Sequence, residues 1–208
     1  MQQIHVDVFS DIICPWCYIG KKRLEQAFAL RPDIQPVYHW RGFLLNPSMP
    51  AQGMGRKDYL RAKFGHAANA VYGRIAEAGS EAGIDFAFDE ITKTPDSRPI
   101  HHLLLAAGPA CFALSESFFR AYFLHGRDIS EHELQAELCA ENGLSIDALR
   151  AQTDTSKLQL EADLQQGQAF QVEGVPFMVF DSRFSLAGAH PPDVLTNVID
   201  AVIEQSAD

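Results

Sequence analysis

The junction between a predicted strand and a predicted helix carries the stretch Ser10-Asp11-Ile12-Ile13-Cys14-Pro15-Trp16-Cys17. Upstream, Ile4, Val6 and Val8 alternate with other residues, which is the period-two pattern of a strand. Downstream, residues 20–30 place apolar side chains on one side of a helix. A proline such as Pro15 is tolerated in a first helical turn, because its missing N–H would have no partner there. The sequence therefore predicts two cysteines at the start of a helix that follows a strand.

The spacing of Cys14 and Cys17 indicates thiol chemistry, because two thiols this close can form a small disulfide ring. Unpaired N–H groups and the helix dipole favour a thiolate at Cys14, so we expect Cys14 to be the nucleophile. Cys17, one turn further into the helix, would resolve a mixed disulfide between Cys14 and a substrate. Pro15 pre-sets the turn, and the bulk of Trp16 is expected to shape the mouth of the site and shield the sulfurs.

A zinc half-site and two packed cysteines are the alternatives to redox chemistry at this motif. Zinc needs two further ligands at comparable local spacing. The remaining cysteines, Cys111 and Cys139, lie far away in the sequence, and no CxxC or HxxxH pattern accompanies them. We therefore expect no metal. We also expect Cys111 and Cys139 to be buried free thiols, with a second, regulatory disulfide between them as the alternative.

The rest of the chain contains two kinds of segment. Residues 37–45 are predicted as a second strand, whereas residues 46–171 show several helical patterns and no convincing strand. Near the end, Pro176-Phe177-Met178-Val179-Phe180 has the apolar run of a buried strand, and residues 183–187 can pair with it. A helix with an amphipathic stripe follows from Pro191-Pro192.

Neither end of the chain has enough strands to bury its own helices, so the two ends are expected to share one sheet. We therefore predict an α/β fold whose sheet domain is discontinuous and comprises residues 1–45 and 172–208. Residues 46–171 would form an α-helical insertion. The protein is expected to be a monomer or a homodimer, the latter because the insertion is apolar.

Composition excludes several classes of protein. The 208 residues include 17 Lys and Arg against 27 Asp and Glu, a formal charge of −10, which disfavours nucleic-acid binding. No apolar stretch approaches the length of a membrane helix, and the N-terminus lacks a secretory signal pattern. We therefore expect a cytoplasmic protein without a membrane partner.

A second motif, Gly174-Val175-Pro176, lies directly before the apolar strand of the tail. With the first motif, it makes the chain resemble the DsbA-like thioredoxin superfamily and, within it, the FrnE-like oxidoreductases. The family often has Gln where His190 stands. The resemblance covers nearly the full length and rests on these segments: residues 10–25, Phe119 to Gly126 with Asp128-Ile129, Gly174 to Phe180, and Gly188-Ala189-His190-Pro191-Pro192.

This resemblance implies a thioredoxin fold interrupted by an all-α insertion. It also implies a cis peptide bond between Val175 and Pro176 that faces the cysteines, with the Val175 backbone pairing with the substrate. Related oxidoreductases often carry a buried acid on the first strand, so Asp7 is a candidate proton relay to Cys17. Asp11 is expected to be a turn residue, and Lys21 is expected on a solvated helix face.

The family implies disulfide oxidoreductase or isomerase activity on protein or small-molecule thiols and disulfides. No bound cofactor is expected beyond the redox-active Cys14–Cys17 disulfide, with glutathione a candidate co-substrate. The alternative is a glutathione-dependent isomerase or transferase, resembling 2-hydroxychromene-2-carboxylate isomerases and kappa-class glutathione transferases, although Cys17 would then be superfluous. A third hypothesis is a non-enzymatic holdase that binds unfolded chains over the insertion, and this binding would persist after replacement of both cysteines.

Overall fold

A mixed sheet of four strands, in the order β2-β1-β5-β6, lies at the centre of the protein. The structure is a computed structural model that describes residues 2–206. Met1 and residues 207–208, which the predicted sheet domain includes, lie outside the described residues. The elements are β1 (Gln2–Ser10), α1 (Pro15–Ala29), β2 (Ile34–Gly42), β3 (Met54–Gly55), α2 (Arg56–Phe64), α3 (Ala68–Glu81), β4 (Lys93–Thr94), α4 (Arg98–Ala106), α5 (Cys111–Phe123), α6 (His132–Glu141), α7 (Ile146–Arg150), α8 (Thr153–Ala169), β5 (Phe177–Phe180), β6 (Phe184–Ala187) and α9 (Pro192–Ser206).

The central strand β1 brings the two sequence motifs to one edge of the sheet. It pairs in parallel with β2, and α1 supplies the crossover that a parallel pair requires. Its other neighbour, β5, is antiparallel, with Phe9 opposite Phe177. The end of β1 therefore lies beside the start of β5, so the residues after Ser10 meet the residues before Phe177.

Both faces of this sheet are covered by helices. Ile4, Val6 and Val8 are buried on one face and belong to the same apolar core as α1 and α9. On the face that carries Phe9, α8 packs closely: Phe170, just after α8, makes an edge-to-face contact with the Phe9 ring. The α/β fold with many inserted helices is thus confirmed. The division at residue 171 stays a prediction, and α8, which it assigns to the insertion, packs on the sheet.

The insertion shares its core with α1 through aromatic side chains of α5. Tyr18 of α1 stacks on Phe119 with ring centroids 5.0 Å apart. These α5 aromatic residues are fully buried: Phe118, Phe119, Tyr122 and Phe123. Such rings contribute much of the apolar area that stabilises a core, so the insertion is fastened to the helix that carries both cysteines.

The expectation of no strand within residues 46–171 is wrong in one place. β3 and β4 form a short antiparallel ladder in which Met54 pairs with Thr94 and Gly55 with Lys93. A ladder this short shows no period in the sequence. Among the helices of residues 2–206, none is long and apolar enough to cross a membrane.

Candidate active site

Cys14 and Cys17 lie at the N-terminus of α1, as the sequence predicts. Cys14 is the N-cap, Pro15 follows within the first turn, and the Cys17 N–H donates to the Cys14 carbonyl at 3.1 Å. Neither sulfur is joined in a disulfide in this structure. Burial raises the pKa of Cys17 well above its usual value, and the hydrogen bond and charge of Cys14 raise it further. Hydrogen bonds from the Ser10 side chain and the Asp11 backbone act in the opposite direction.

The Val175–Pro176 segment faces the cysteines. Its peptide bond is cis, and the Cys14 thiol lies 3.7 Å from the Val175 carbonyl oxygen. Gly20 of α1 permits this approach, because a Cβ atom there would lie 2.7 Å from Pro176 Cγ. The two motifs, far apart in the sequence, thus form one site.

A groove of about 500 Å³ runs beside this site. Trp16 is the most exposed residue of the motif, with 36% of its surface accessible, and it forms one wall. Val175, Pro176 and Phe177 contribute to the floor, with Ala187 and Ala189 near the end of β6. The groove offers a largely apolar surface next to the Val175 backbone.

Asp7 is engaged away from the cysteines. Its carboxylate pairs with the Arg41 guanidinium at 2.6 Å, and Arg41 also contacts the buried Asp163 at 3.3 Å. Asp7 is not among the groups that set the pKa of Cys17, which are Cys14, Ser10 and Asp11. The relay role of Asp7 stays a prediction, and its charge is already balanced by Arg41.

Asp11 is the residue whose importance the sequence understates. It is fully buried, its N–H donates to Cys17 Sγ at 3.5 Å, and its carbonyl accepts the Cys14 N–H at 3.0 Å. Its carboxylate accepts the N–H groups of Ile13 and Leu45 at 3.3 and 2.7 Å. In the sequence, the only sign of these contacts is the position of Asp11 three residues before Cys14. The contact with Leu45 could not be predicted, because Leu45 lies far from Asp11 in the sequence.

The expectation of a solvated Lys21 is wrong. Lys21 is 3% exposed rather than solvated, and it pairs with Glu25 and with Glu116 of α5. Glu116 also accepts a hydrogen bond from Tyr18 at 2.9 Å. Burial acts to raise the pKa of Glu116, but the charges and hydrogen bonds of Lys21 and Lys22 outweigh it and hold the pKa below its usual value. The helix α1 is thus tied to the insertion by a partly buried charge cluster around Lys21.

Helix α2 of the insertion brings positive charge towards the cysteines. Desolvation lowers the pKa of Lys63, whereas the interactions with Cys14 and Asp11 act to raise it. Lys63 also donates a hydrogen bond to the Tyr59 hydroxyl at 3.1 Å. Arg56, 4% exposed, is surrounded by hydroxyl groups of tyrosine and threonine and has no carboxylate partner among residues 2–206.

The other two cysteines stand apart from this site. Cys111 begins α5 and Cys139 lies in α6, and both are buried free thiols. Burial raises the pKa of each. Within residues 2–206, no three His, Cys, Asp or Glu side chains come together as a metal-binding group.

Comparison with solved structures places this arrangement among known folds. A probable DsbA oxidoreductase from Streptomyces coelicolor superimposes with a TM-score of 0.80 at 28% identity, covering 94% of this chain and 88% of that one. The cytosolic disulfide reductase DsbM from Pseudomonas aeruginosa, solved with GSH, gives 0.71 at 20% identity, covering 96% and 99%. A 2-hydroxychromene-2-carboxylate isomerase gives 0.69 at 15% identity, covering 98% of each chain. The last two likenesses concern the fold alone.

Sequence comparison adds a family. Among curated proteins, the uncharacterized protein YwbO of Bacillus subtilis (strain 168) is 37% identical over 49 residues, which are 24% of this chain and 23% of that protein. The match thus spans about a quarter of that curated relative. The family model of the DSBA-like thioredoxin domain, in contrast, matches residues 5–200. The chain therefore belongs to the DSBA-like thioredoxin domain family, which is related in structure to thiol–disulfide oxidoreductases.

Proposed function

We propose that this protein catalyses thiol–disulfide exchange through the Cys14–Cys17 pair, in the manner of a FrnE-like oxidoreductase or isomerase of the cytoplasm. Cys14 forms a mixed disulfide with a protein or small-molecule substrate, and Cys17 resolves it. The electrons reside in the cysteine pair, so the proposal needs no bound cofactor, and glutathione serves as co-substrate.

The asymmetry between the two thiols is the observation that carries this proposal. Cys14 stands at the start of α1, 3.7 Å from the Val175 carbonyl and beside the groove. Cys17 lies three residues further along α1, and burial raises its pKa. The thiolate is the attacking species in exchange, so the thiol beside the Val175 carbonyl is suited to attack first and Cys17 to resolve.

The surroundings of Cys14 support a defined mode of substrate binding. The proposal has the backbone of Val175 align the substrate next to Cys14, with Trp16 and Pro176 lining the groove as apolar surfaces. Pro15 would fix the first turn of α1 and so the distance between the sulfurs.

Trapping the intermediate tests this assignment. A Cys17→Ser variant, mixed with oxidised glutathione, is expected to accumulate one glutathione on Cys14, measured by intact-protein mass spectrometry. The Cys14→Ser variant is the matched control and should carry none. The assigned roles would be overturned if glutathione accumulated on Cys17 of the Cys14→Ser variant and not on Cys14 of the Cys17→Ser variant.

A glutathione-dependent isomerase or transferase is the second candidate. The observation that favours it is the pair of cationic residues from α2, since Lys63 interacts electrostatically with Cys14 and the buried Arg56 has no carboxylate partner within residues 2–206. Such charges suit an anionic thiol tripeptide. Calorimetric titration of the Cys14→Ser, Cys17→Ser double variant with glutathione distinguishes the two candidate functions. Tight binding of glutathione by this variant, together with no thiol–disulfide exchange by the wild-type protein, would favour the isomerase or transferase.

A further inference from the structure

A buried series of three side chains connects the insertion to the cysteines. Trp40 Nε1 of β2 donates to His101 Nδ1 of α4 at 3.2 Å. His101 Nε2 in turn lies 3.4 Å from Asp11 Oδ1. His101 and Asp11 are fully buried and Trp40 is 4% exposed. We call these three residues the Trp40–His101–Asp11 triad.

The triad fixes the tautomer of His101. The indole N–H of Trp40 is a donor only, so His101 Nδ1 must accept. In a neutral imidazole the proton then resides on Nε2, which points at the Asp11 carboxylate. Among residues 2–206, His101 Nε2 makes no hydrogen bond of good geometry, and its 3.4 Å approach to Asp11 Oδ1 is an electrostatic contact. The Nε2 proton of His101 therefore lies next to the Asp11 carboxylate.

Asp11 transmits this contact to both cysteines through its backbone. Its carboxylate accepts the N–H groups of Ile13 and Leu45 and also contacts His101 Nε2 at 3.4 Å. Its own carbonyl accepts the Cys14 N–H, and its own N–H donates to Cys17 Sγ. A shift of the Asp11 side chain would therefore move the N–H that faces the Cys17 sulfur.

We propose that His101 is a positioning residue for Cys17: by holding Asp11, it aims the Asp11 N–H at the sulfur that becomes a thiolate when the mixed disulfide is resolved. The inference rests on the proposed thiol–disulfide exchange and adds to it a residue from the insertion. The redox behaviour of the cysteine pair then depends on His101, which lies 87 positions after Cys14 in the sequence.

The assisted step is the attack of Cys17 on the mixed disulfide. Cys17 loses its proton, and its sulfur forms a bond to Cys14 Sγ while the bond between Cys14 and the substrate sulfur breaks. The substrate sulfur leaves with the electron pair and takes up a proton, so the substrate is reduced and the cysteine pair oxidised. Negative charge gathers on Cys17 before the attack, and a hydrogen bond to a charged acceptor is stronger than one to a neutral acceptor.

Other ionisable groups surround the triad and bear on any pH dependence. The ionisable neighbour of Cys17 is Cys14, and Cys17 also accepts hydrogen bonds from the Ser10 side chain and the Asp11 backbone. His102 is next to His101, and burial lowers its pKa. The charge on Asp11 also acts on three side chains of α2 and α5: Tyr59, Lys63 and Tyr122.

The test separates the two steps with an aromatic disulfide, 5,5′-dithiobis(2-nitrobenzoate). Cys14 releases one thionitrobenzoate as it forms the mixed disulfide, and Cys17 releases the second as it resolves it. His101→Leu removes both contacts of the ring, so we expect a second release on the order of tenfold slower, with its pH dependence moved to higher pH. The first release should change far less.

Two further variants control for structure. His101→Gln offers an amide N–H to Asp11 and an oxygen to Trp40, and it should restore most of the second rate. His102→Leu, on the same helix, should leave both rates unchanged. If His101→Leu fails to fold, Trp40→Phe removes only the donor to His101 and should slow the second release selectively.

Three results would overturn the proposal: equal second rates in wild-type and a folded His101→Leu or Trp40→Phe protein, equal slowing of both releases, or a His101→Gln variant as slow as His101→Leu. These outcomes are distinct from failure of the proposed function itself. In that case the wild-type protein would show no second release at all.

Discussion

The two cysteine pairs of this protein are equally hidden from solvent, and yet their surroundings differ. Cys14 and Cys17 expose 3% and 2% of their surface, and Cys111 and Cys139 expose 5% and 0%. Burial raises the pKa of Cys17, Cys111 and Cys139 alike. Exposure and burial therefore do not separate the candidate reactive pair from the pair in the insertion.

Local polar contacts separate them instead. Cys17 hydrogen-bonds Cys14, and both contact the backbone of Asp11 at a helix N-terminus. Cys111 and Cys139 lie in different helices and belong to the apolar core. The difference teaches that a buried cysteine acquires a chemical role through its neighbours, since free cysteines otherwise behave as small apolar core residues.

The largest expected effect comes from replacing one cysteine of each pair. Cys14→Ser should lower the rate of exchange with a glutathione-containing mixed disulfide by at least about 10³-fold, because the nucleophile is lost. Cys111→Ala should leave the rate within about twofold, because it removes only a packed core side chain. Equal losses in both variants would show that the two pairs are not functionally distinct.

A second variant tests the close contact on which the Cys14 site depends. Gly20→Ala places a methyl group 2.7 Å from the Pro176 ring, so we expect it to lower the free energy of unfolding by about 1–3 kcal/mol and to slow exchange. Gly73→Ala in α3 is the matched control, since a Cβ atom there meets nothing within 4 Å; it should gain up to about 1 kcal/mol. Denaturant unfolding measures both. Equal stability of the two variants would contradict the tight packing of α1 on Pro176.

The charge cluster between α1 and α5 gives a prediction for pH. The pKa of Glu116 lies below its usual value in the folded protein, so its stabilising contribution is present above the unfolded pKa of about 4.3. It is lost as the pH falls through the lower folded value. Glu116→Gln should therefore cost about 1 kcal/mol of unfolding free energy at neutral pH, and the difference from wild type should shrink on acidification. A difference that grows towards low pH would contradict this account.

The smallest expected effect concerns Lys63. Lys63 interacts electrostatically with Cys14, so Lys63→Met should slow alkylation of Cys14 by iodoacetamide, roughly twofold at low salt. The effect should vanish in about 1 M salt, where such interactions are screened. Lys57→Met, on the same helix, is the control. A slowing that persists at high salt would point to altered packing rather than charge.

Local patterns in the sequence were sufficient for much of this structure. The alternation of Ile4, Val6 and Val8, the proline at the start of α1 and the apolar run before Phe180 each reflect contacts between near neighbours. The placement of Cys14, Cys17 and the Val175–Pro176 segment followed from these patterns together with the resemblance to a family.

Long-range contacts account for what the sequence did not predict. Lys21 was expected on a solvated helix face, but α5 brings Glu116 against it. Asp11 gave no sign of its contact with His101, since the two meet only through the packing of α4. Neither the pairing of Asp7 with Arg41 nor the β3–β4 ladder has a local signature.

The reduction potential of the Cys14–Cys17 pair tests the central claim most directly. In glutathione redox buffers, we predict a reversible two-electron transition in the wild-type protein that is absent from the Cys17→Ser variant; its midpoint would identify the direction of electron flow. The absence of any such transition in the wild-type protein, with glutathione bound tightly but without a covalent bond, would contradict the account and favour the glutathione-dependent isomerase or transferase.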